Sequence, residues 1–513
     1  MLTSTLVVIV VVFILELLRR RWELFRYFEK RGIPGPKPHF LWGHYHLLQA
    51  NHTFWLDKWT KEYGDTFGVF WGNKPMLVSI DLDLQQKVLV KEFSNFVNRA
   101  RLLALEEAHP LFRTMLTMEK DSRWKNLRSV ISPSFSSARM KAMTPLIVKG
   151  LQDFERNLYK QESKYFDVYP LLKRLTMDNI GRAAFGIDAN TQADPNNTSP
   201  LVVAALEFID VIMSEVTDLL TNSFSFTGLN NFLEFLFRYD LITHASTKLC
   251  REATKIVKAR RHGPKRSDLM QSFLDNNVMS VDVQALEASG QDDDSSFHAY
   301  KGKSKSLSNE QVVTNVCLIF AAGYETTSTG IASLLSCLGA NPEIQARLRD
   351  EIINALGKEG TQMTDIDTLY TKVMGMKYLD QCVQEALRLF PPVTGFTTRT
   401  PTEPSEYKGI TLEKGLGLLF PTRTVHHDAR YWPKPLTYDP DRFAQKPVHP
   451  LAYQPFGGGP RNCVGMKMAV MSIKLTLCHI LPKMKIVTNE KCTWTCKNVV
   501  CQPEKVMIRV ESI

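Results

Sequence analysis

The sequence predicts a mainly α protein with small β-sheets, folded as a single large domain behind an N-terminal transmembrane anchor. Three observations predict it. Apolar residues recur with helical period from Leu307 to Leu338, a run that makes a helix of about 45 Å, long enough to cross a whole domain. Trp124, Thr326, Arg388 and Cys463, the residues with the strongest chemical character, span most of the 513 positions. If they serve one site, the chain cannot be divided between them. Finally, Leu2 to Leu18 is almost unbroken Val, Ile, Leu and Phe, while a hydrophobic content of 44% over the chain can fill a large core.

The apolar run at the start contains Glu16 and is followed by Arg19, Arg20 and Arg21. A helix over 2–18 is about 26 Å long, at the short end for a bilayer. No A-x-A-like cleavage site follows, so residues 1–21 are expected to be an uncleaved anchor, with the arginines on the cytoplasmic side. Residues 22–38 form a linker in which Ile33-Pro34-Gly35-Pro36-Lys37-Pro38 is a stiff connector. Residues 39–513 are expected to form the single folded body.

Within that body, Trp124 and Arg128 lie four apart, one helical turn, where an indole N–H and a guanidinium can share one carboxylate. From about Arg260 to Lys305 the composition becomes charged and small, which predicts an exposed loop before the long helix. Ser308 and Gln311 form a capping box, and Gly339 and Pro342 supply the stop. Inside this helix Glu325, Thr326 and Thr327 are polar groups that burial tolerates only if they are bonded or employed. Ala322, Thr326, Thr329 and Ser333 make a narrow face of small residues against which a ligand can lie. Glu385 and Arg388, three apart in the helical run Tyr378 to Leu389, can pair. The tail from Val506 to Val510 alternates like a strand.

The most informative segment is Phe456-Gly457-Gly458-Gly459-Pro460-Arg461-Asn462-Cys463-Val464-Gly465. It offers one thiol in a glycine-rich loop, with a cation two residues earlier and a helical pattern afterwards. Glycines let backbone approach a flat ligand, and N–H donors and positive charge favour a thiolate. The F-x-x-G-x-R-x-C-x-G spacing resembles the haem-binding signature of the cytochrome P450 family, and Ala322-Gly323-Tyr324-Glu325-Thr326-Thr327 resembles its oxygen-activation motif. The E-x-x-R pair followed by Asp441-Arg442-Phe443 is similar to the family's structural triad, with Asp441 in place of the usual glutamate.

The resemblance implies a haem-thiolate fold that binds haem b (iron protoporphyrin IX) with Cys463 as the iron ligand. It assigns Trp124, Arg128, Arg461, Arg399 and Arg99 to the propionates, and Phe456, Gly459, Gly465 and Ala322 to the cofactor's surroundings. Thr326 and Glu325 become a proton relay, and Glu385, Arg388 and Arg442 a brace. Ala104 to Met118 is the loop expected to close the substrate pocket, and residues 201–241 its roof.

The implied reaction inserts one atom of O2 into a lipophilic substrate. The chain has no nucleotide-binding or flavin segment, so electrons are expected from a membrane-bound NADPH-cytochrome reductase, with cytochrome b5 as an auxiliary donor. The expected location is the endoplasmic reticulum membrane, with the body facing the cytosol. A net charge of +10 without any nucleic-acid motif suits anionic lipid heads and an acidic flavoprotein, not nucleic acid. Nine cysteines without paired spacing fit a reducing compartment, and Cys492, Cys496 and Cys501 are expected to pack as ordinary residues. His426 and His427 are expected on a strand, pointing apart, with no metal role. The sequons at Asn51, Asn196 and Asn197 are incidental in the cytosol. Two other readings remain open: a haem-thiolate isomerase or dehydratase acting on peroxides, and a membrane-tethered haem sensor.

Overall fold

A computed structural model describes residues 2–100, 110–193, 199–212, 241–266, 268–276, 306–358, 360–362, 365–445, 449–497 and 499–513. Among the described residues its α-helices of seven residues or more are α1 (Leu2–Phe25), α2 (Tyr45–Tyr63), α3 (Asp121–Ile131), α4 (Ser137–Tyr159), α5 (Tyr169–Phe185), α6 (Pro200–Ile212), α7 (Leu241–His262), α8 (Leu269–Asp275), α9 (Asn309–Ala340), α10 (Pro342–Leu356), α11 (Ile366–Gly375), α12 (Lys377–Leu389) and α13 (Met466–Ile480). Helices dominate and the sheets are small, as the apolar periodicity predicts.

The long helix α9 organises the core. Ser308 accepts from the Gln311 N–H while the Gln311 side chain accepts from the Ser308 N–H, so the capping box forms as read. The helix ends at Ala340, and Pro342 opens α10. Val312, Phe320, Ile331, Leu334 and Leu338 are buried on several sides of it, each contributing roughly 1.5 to 3 kcal/mol by leaving water. Its most extensive partner is α5, and α7, α12 and α13 pack around the rest.

Four strands form the largest sheet, in the order Thr66–Trp71, Lys74–Ser79, Gly417–Leu419, Thr398–Arg399; the middle pair is parallel and the outer pairs antiparallel. Near the C-terminus, Met507–Ser512 lies between Phe166–Asp167 and Met484–Val487. Ile508 and Val510 point inward, in keeping with the alternation of the tail.

Several details add to these expectations or depart from them. The N-terminal helix continues to Phe25, four residues beyond the expected anchor, and among the described residues no helix is long and apolar enough to cross a membrane. Inside this helix Glu16 binds Arg19 and Arg20, and Glu23 binds Arg19. The proline-rich segment packs against the first sheet. Pro34 accepts from the Gly68 N–H at 2.8 Å, Phe28 and Ile33 are buried, and a Cβ on Gly35 would stand 2.2 Å from the Gly68 carbonyl oxygen.

His426 closes the short helix Thr422–His426 and His427 caps it, so neither is on a strand. Both imidazoles are tied to main-chain groups of the α12 end, His426 Nδ1 to Arg388 O at 3.1 Å and His427 Nε2 to Leu389 O at 2.9 Å. Cys496 and Cys501 are joined by a disulfide across a hairpin, where free packing was expected; the other seven cysteines are free. In the segment from 260 onward, α7 reaches His262 and α8 occupies Leu269–Asp275. Residues 277–305, 213–240 of the expected roof, 104–109 of the expected closing loop, and Asn196 and Asn197 lie outside the described residues.

Candidate functional site

Cys463 sits three residues before α13, whose N-cap is Gly465. The Cys463 N–H donates to the Phe456 carbonyl at 2.8 Å, closing the loop on itself. Gly457 and Gly459 adopt φ of +75° and +71°, in the region side chains avoid, and a Cβ on Gly459 would stand 1.9 Å from the Leu89 carbonyl oxygen. Gly465 is different: its φ is −85° and a Cβ there would make only ordinary contacts, 3.9 Å from the Phe135 ring and 4.0 Å from Cys463 Sγ, so neither backbone conformation nor packing demands glycine.

The thiol is accessible, although protein surrounds it closely enough that burial pushes its pKa up. An accessible atom enclosed by protein marks the wall of a cavity. The Gly465 and Met466 N–H groups and the charges of Arg128 and Arg99 oppose that rise, as expected at a helix N-terminus.

Four guanidinium groups gather on this loop. Arg128 donates to Asn462 O at 2.8 Å and Asn462 Oδ1 at 2.9 Å. Arg99 donates to Phe396 O and, at 3.2 Å, to Arg461 O, with its guanidinium 4.3 Å over the Phe396 ring. Arg399 is 1% exposed and donates to Thr398 O at 2.7 Å and Gly458 O at 3.5 Å. Arg461 donates to Glu119 O and lies 4.5 Å over the buried Trp124 ring.

Among the described residues none of the four has a carboxylate partner, and Nε of Arg99, Arg399 and Arg461 is buried without an acceptor. Burial holds all four pKa values down, to about 10 for Arg99 and about 9 for Arg461, with neighbouring arginines adding to the effect at Arg99, Arg399 and Arg461. Like charges packed in low dielectric are costly unless anions join them. A dianionic, flat ligand supplies that charge, and the two propionates of haem fit.

Helix α9 forms another boundary. Its Gly330 packs on Ile473 of α13, with an added Cβ 3.0 Å from Ile473 Cδ1. One turn earlier Thr326 is half-buried, and Ala322, a turn before that, is exposed, so this face is left uncovered in a helix otherwise largely closed. The other two residues of the expected stripe do not join it. Thr329 bonds the Tyr169 hydroxyl at 2.9 Å and Ser333 donates to Gly330 O.

Thr326 donates to the Ala322 carbonyl at 2.7 Å. Glu325 turns toward α5: Tyr169 donates to it at 2.7 Å and Lys173 Nζ lies 3.0 Å away. Lys173 is 28% exposed, so it is this lysine that links the buried carboxylate to solvent. Burial and the neighbouring Glu325 raise the Tyr169 phenol, keeping it a donor. The segment Phe112–Glu119 lies on α9, with the Leu116 N–H donating to Asn315 Oδ1 at 2.8 Å, before reaching Arg461.

Behind the loop, Arg388 donates to both Glu385 oxygens at 2.7 and 2.8 Å, and Arg442 Nε donates to Glu385 Oε1 at 2.9 Å. Glu385 and Arg388 are fully buried. Asp441 takes no part, pairing with Arg347 at the surface, which explains why it can replace a glutamate.

The cytochrome P450 family model matches residues 33–510 of this chain. The chain belongs to the cytochrome P450 family. It is 30% identical over 492 residues to lithocholate 6-beta-hydroxylase of Mesocricetus auratus, covering 94% of this chain and 91% of that protein. Cytochrome P450 3A14 of Cavia porcellus is 31% identical over 469 residues, covering 89% and 85%. Cytochrome P450 3A9 of Rattus norvegicus is 30% identical over 467 residues, covering 88% and 85%. Accordingly the protein is a monooxygenase and its cofactor is haem.

The sequence names Cys463 and all four arginines of this cluster. It misses Asn462 as the anchor of Arg128, Leu89 as the reason for Gly459, and Tyr169 and Lys173 as partners of Glu325. Tyr169 and Lys173 are four apart on one helix face, a spacing legible in the sequence only once α5 is known to face α9.

Proposed function

We propose that this cytochrome P450 is a membrane-anchored enzyme that hydroxylates lipophilic molecules, with electrons delivered from NADPH by a separate flavoprotein reductase. Cys463 would ligate the iron, Arg99, Arg128, Arg399 and Arg461 with Trp124 would hold the propionates, and Phe456, Gly459, Gly465 and Ala322 would border the macrocycle. Bound haem with a thiolate ligand supplies dioxygen activation. The rest falls to the chain's own groups. Ala322, small and exposed on α9, would leave room for the cofactor and substrate. Thr326 presents a hydroxyl that can hold a proton once it leaves the Ala322 carbonyl. Glu325 accepts protons through Lys173 and can pass them along α9.

The observation that carries this reading is the accessible Cys463 thiol beside four arginines lacking carboxylate partners among the described residues. Membrane placement rests on the exposed apolar helix, where Val7, Val8, Ile9, Val12, Phe13 and Leu15 are 55–60% exposed, and on the arginines that follow. The endoplasmic reticulum and a cytosol-facing body follow from charge placement, and cytochrome b5 is a candidate second donor. The name of the hamster relative, a lithocholate hydroxylase, supports hydroxylation as the reaction and a lipophile as the substrate.

The test is a reduced carbon-monoxide difference spectrum of the membrane fraction, followed by reconstitution with reductase and NADPH. The expected result is a thiolate-type band and substrate-dependent NADPH consumption with a hydroxylated product. A normal band with rearranged peroxide and no need of reductase would replace this reading with the isomerase one.

A further inference from the structure

Cys496 and Cys501 face each other across the antiparallel hairpin formed by Trp494–Lys497 and Val500–Pro503. Disulfides are rare in proteins exposed to the cytosol, and those found there are mostly catalytic or redox-sensing. This one is placed where opening it would be felt. The Cys501 N–H donates to Pro392 O at 2.9 Å, the Thr394 N–H donates to Val499 O at 3.0 Å, and Trp494 stacks on Phe390 with centroids 4.6 Å apart. The hairpin therefore holds the segment from 390 to 394. The residues just beyond it belong to the haem-thiolate site: Phe396 accepts from Arg99, and Arg399 reaches Gly458 in the Cys463 loop.

A chain of polar groups also ends on the sulfur. The Thr394 hydroxyl lies 3.4 Å from Cys501 Sγ and shares a second hydrogen bond with His52 Nε2. His52 is buried, and burial lowers its pKa to about 3, so the imidazole stays neutral. An uncharged hydroxyl can accept from a thiol S–H and can donate weakly to a disulfide sulfur, so the surroundings suit either oxidation state.

We propose that Cys496 and Cys501 are a redox-responsive pair, reduced by a low-molecular-weight thiol, whose state sets the grip of the hairpin on residues 390–399 and thereby ligand binding at the haem-thiolate site. One thiolate of the reductant attacks a sulfur of the pair, breaking the S–S bond and leaving a mixed disulfide. A second reductant thiolate displaces the protein sulfur. Two electrons pass to the protein, two protons settle on Cys496 and Cys501, and the reductant leaves as its own disulfide. Both sulfurs belong to buried residues, 5% and 4% exposed, so exchange requires the hairpin to open.

The ligand-binding part rests on the monooxygenase reading; the thiol chemistry does not. The test uses full-length holoprotein in glutathione buffers of graded poise, with differential alkylation read by mass spectrometry and phenylimidazole binding read in the haem spectrum. We expect the two cysteines to titrate together as a two-electron couple. Reduction should change the phenylimidazole Kd by about fivefold or more, the lower end of coupling between sites. The Cys496→Ser/Cys501→Ser variant should show the reduced-form Kd in every buffer, which separates the pair from any action of glutathione on haem iron. If that variant does not fold, the titration of the native protein decides alone. Alkylation of the pair that does not change with poise, or one Kd throughout, overturns the inference. Absence of a haem spectrum would instead overturn the monooxygenase reading, with alkylation still informative.

Discussion

Cys463 combines two opposing influences: enclosure that disfavours a charged sulfur, and N–H groups and arginines that favour it. Under the proposed reading, coordination to haem iron would decide between them, because a coordinating thiol is deprotonated by the metal. Cys463→His is therefore expected to abolish the thiolate-type carbon-monoxide band, read directly in the reduced difference spectrum. At Thr326 the hydroxyl is back-bonded to its own helix, so its removal should leave the fold and haem content intact. We expect Thr326→Ala to lower product formation on the order of 100-fold while NADPH is still consumed and hydrogen peroxide is released. Product equal to that of the native enzyme would exclude this hydroxyl from proton delivery. The role of Glu325 is less direct than its adjacency to Thr326 suggests, since successive helical residues point about 100° apart and this one is held by Tyr169 and Lys173.

The Cys463 loop and α12 form a pair of elements braced by different physics. The loop depends on shape: Gly459 has left-handed backbone and lies against Leu89. Gly459→Ala must displace one of the two backbones, and the expected outcome is protein that accumulates with little haem, measured as the haem-to-protein absorbance ratio. The brace depends on charge. Glu385 accepts from Arg388, Arg442 and the Asp439 N–H within a dry interior. Glu385→Ala strands two guanidinium groups there, at a cost of about 3 to 5 kcal/mol. Thermal unfolding should show a correspondingly lower midpoint, whereas Asp441→Ala at the exposed Arg347 pair should change it little.

Across the whole molecule, buried histidines predict acid lability. Burial lowers the pKa of His52 and of His427 to about 3, and drives that of His426 well below its ordinary value. Folded protein holds these imidazoles neutral while the unfolded chain protonates near pH 6.5. Stability is thus lost as pH falls from about 6.5 toward 3, at up to about 1.4 kcal/mol per pH unit for each group. Melting curves between pH 7 and pH 5 should show a falling midpoint, and a flat profile would refute the account. The N-terminal helix makes a separate prediction. Arg21 is buried and donates to the Phe40 and Leu41 carbonyls, so it belongs to the body. Deleting residues 2–18 should move the protein from the membrane pellet to the soluble fraction with its carbon-monoxide spectrum unchanged.

What the sequence determined by itself was local and periodic. The α9 pattern with its capping box, the strand at the C-terminus, the glycine-rich thiol loop and the Glu385–Arg388 pair all depend on residues near one another in the chain. Only the tertiary structure decided which distant surfaces meet. It brings Arg99 to Arg461 across 362 positions, turns Glu325 to α5, docks the proline-rich segment on Gly68, and joins Cys496 to Cys501. The last pair is close in sequence but looked unremarkable until a hairpin set its register. The physical reason is common to all of them. Helix period, capping and turn chemistry are short-range properties, while the fate of a buried charge or sulfur depends on the partner that packing places beside it.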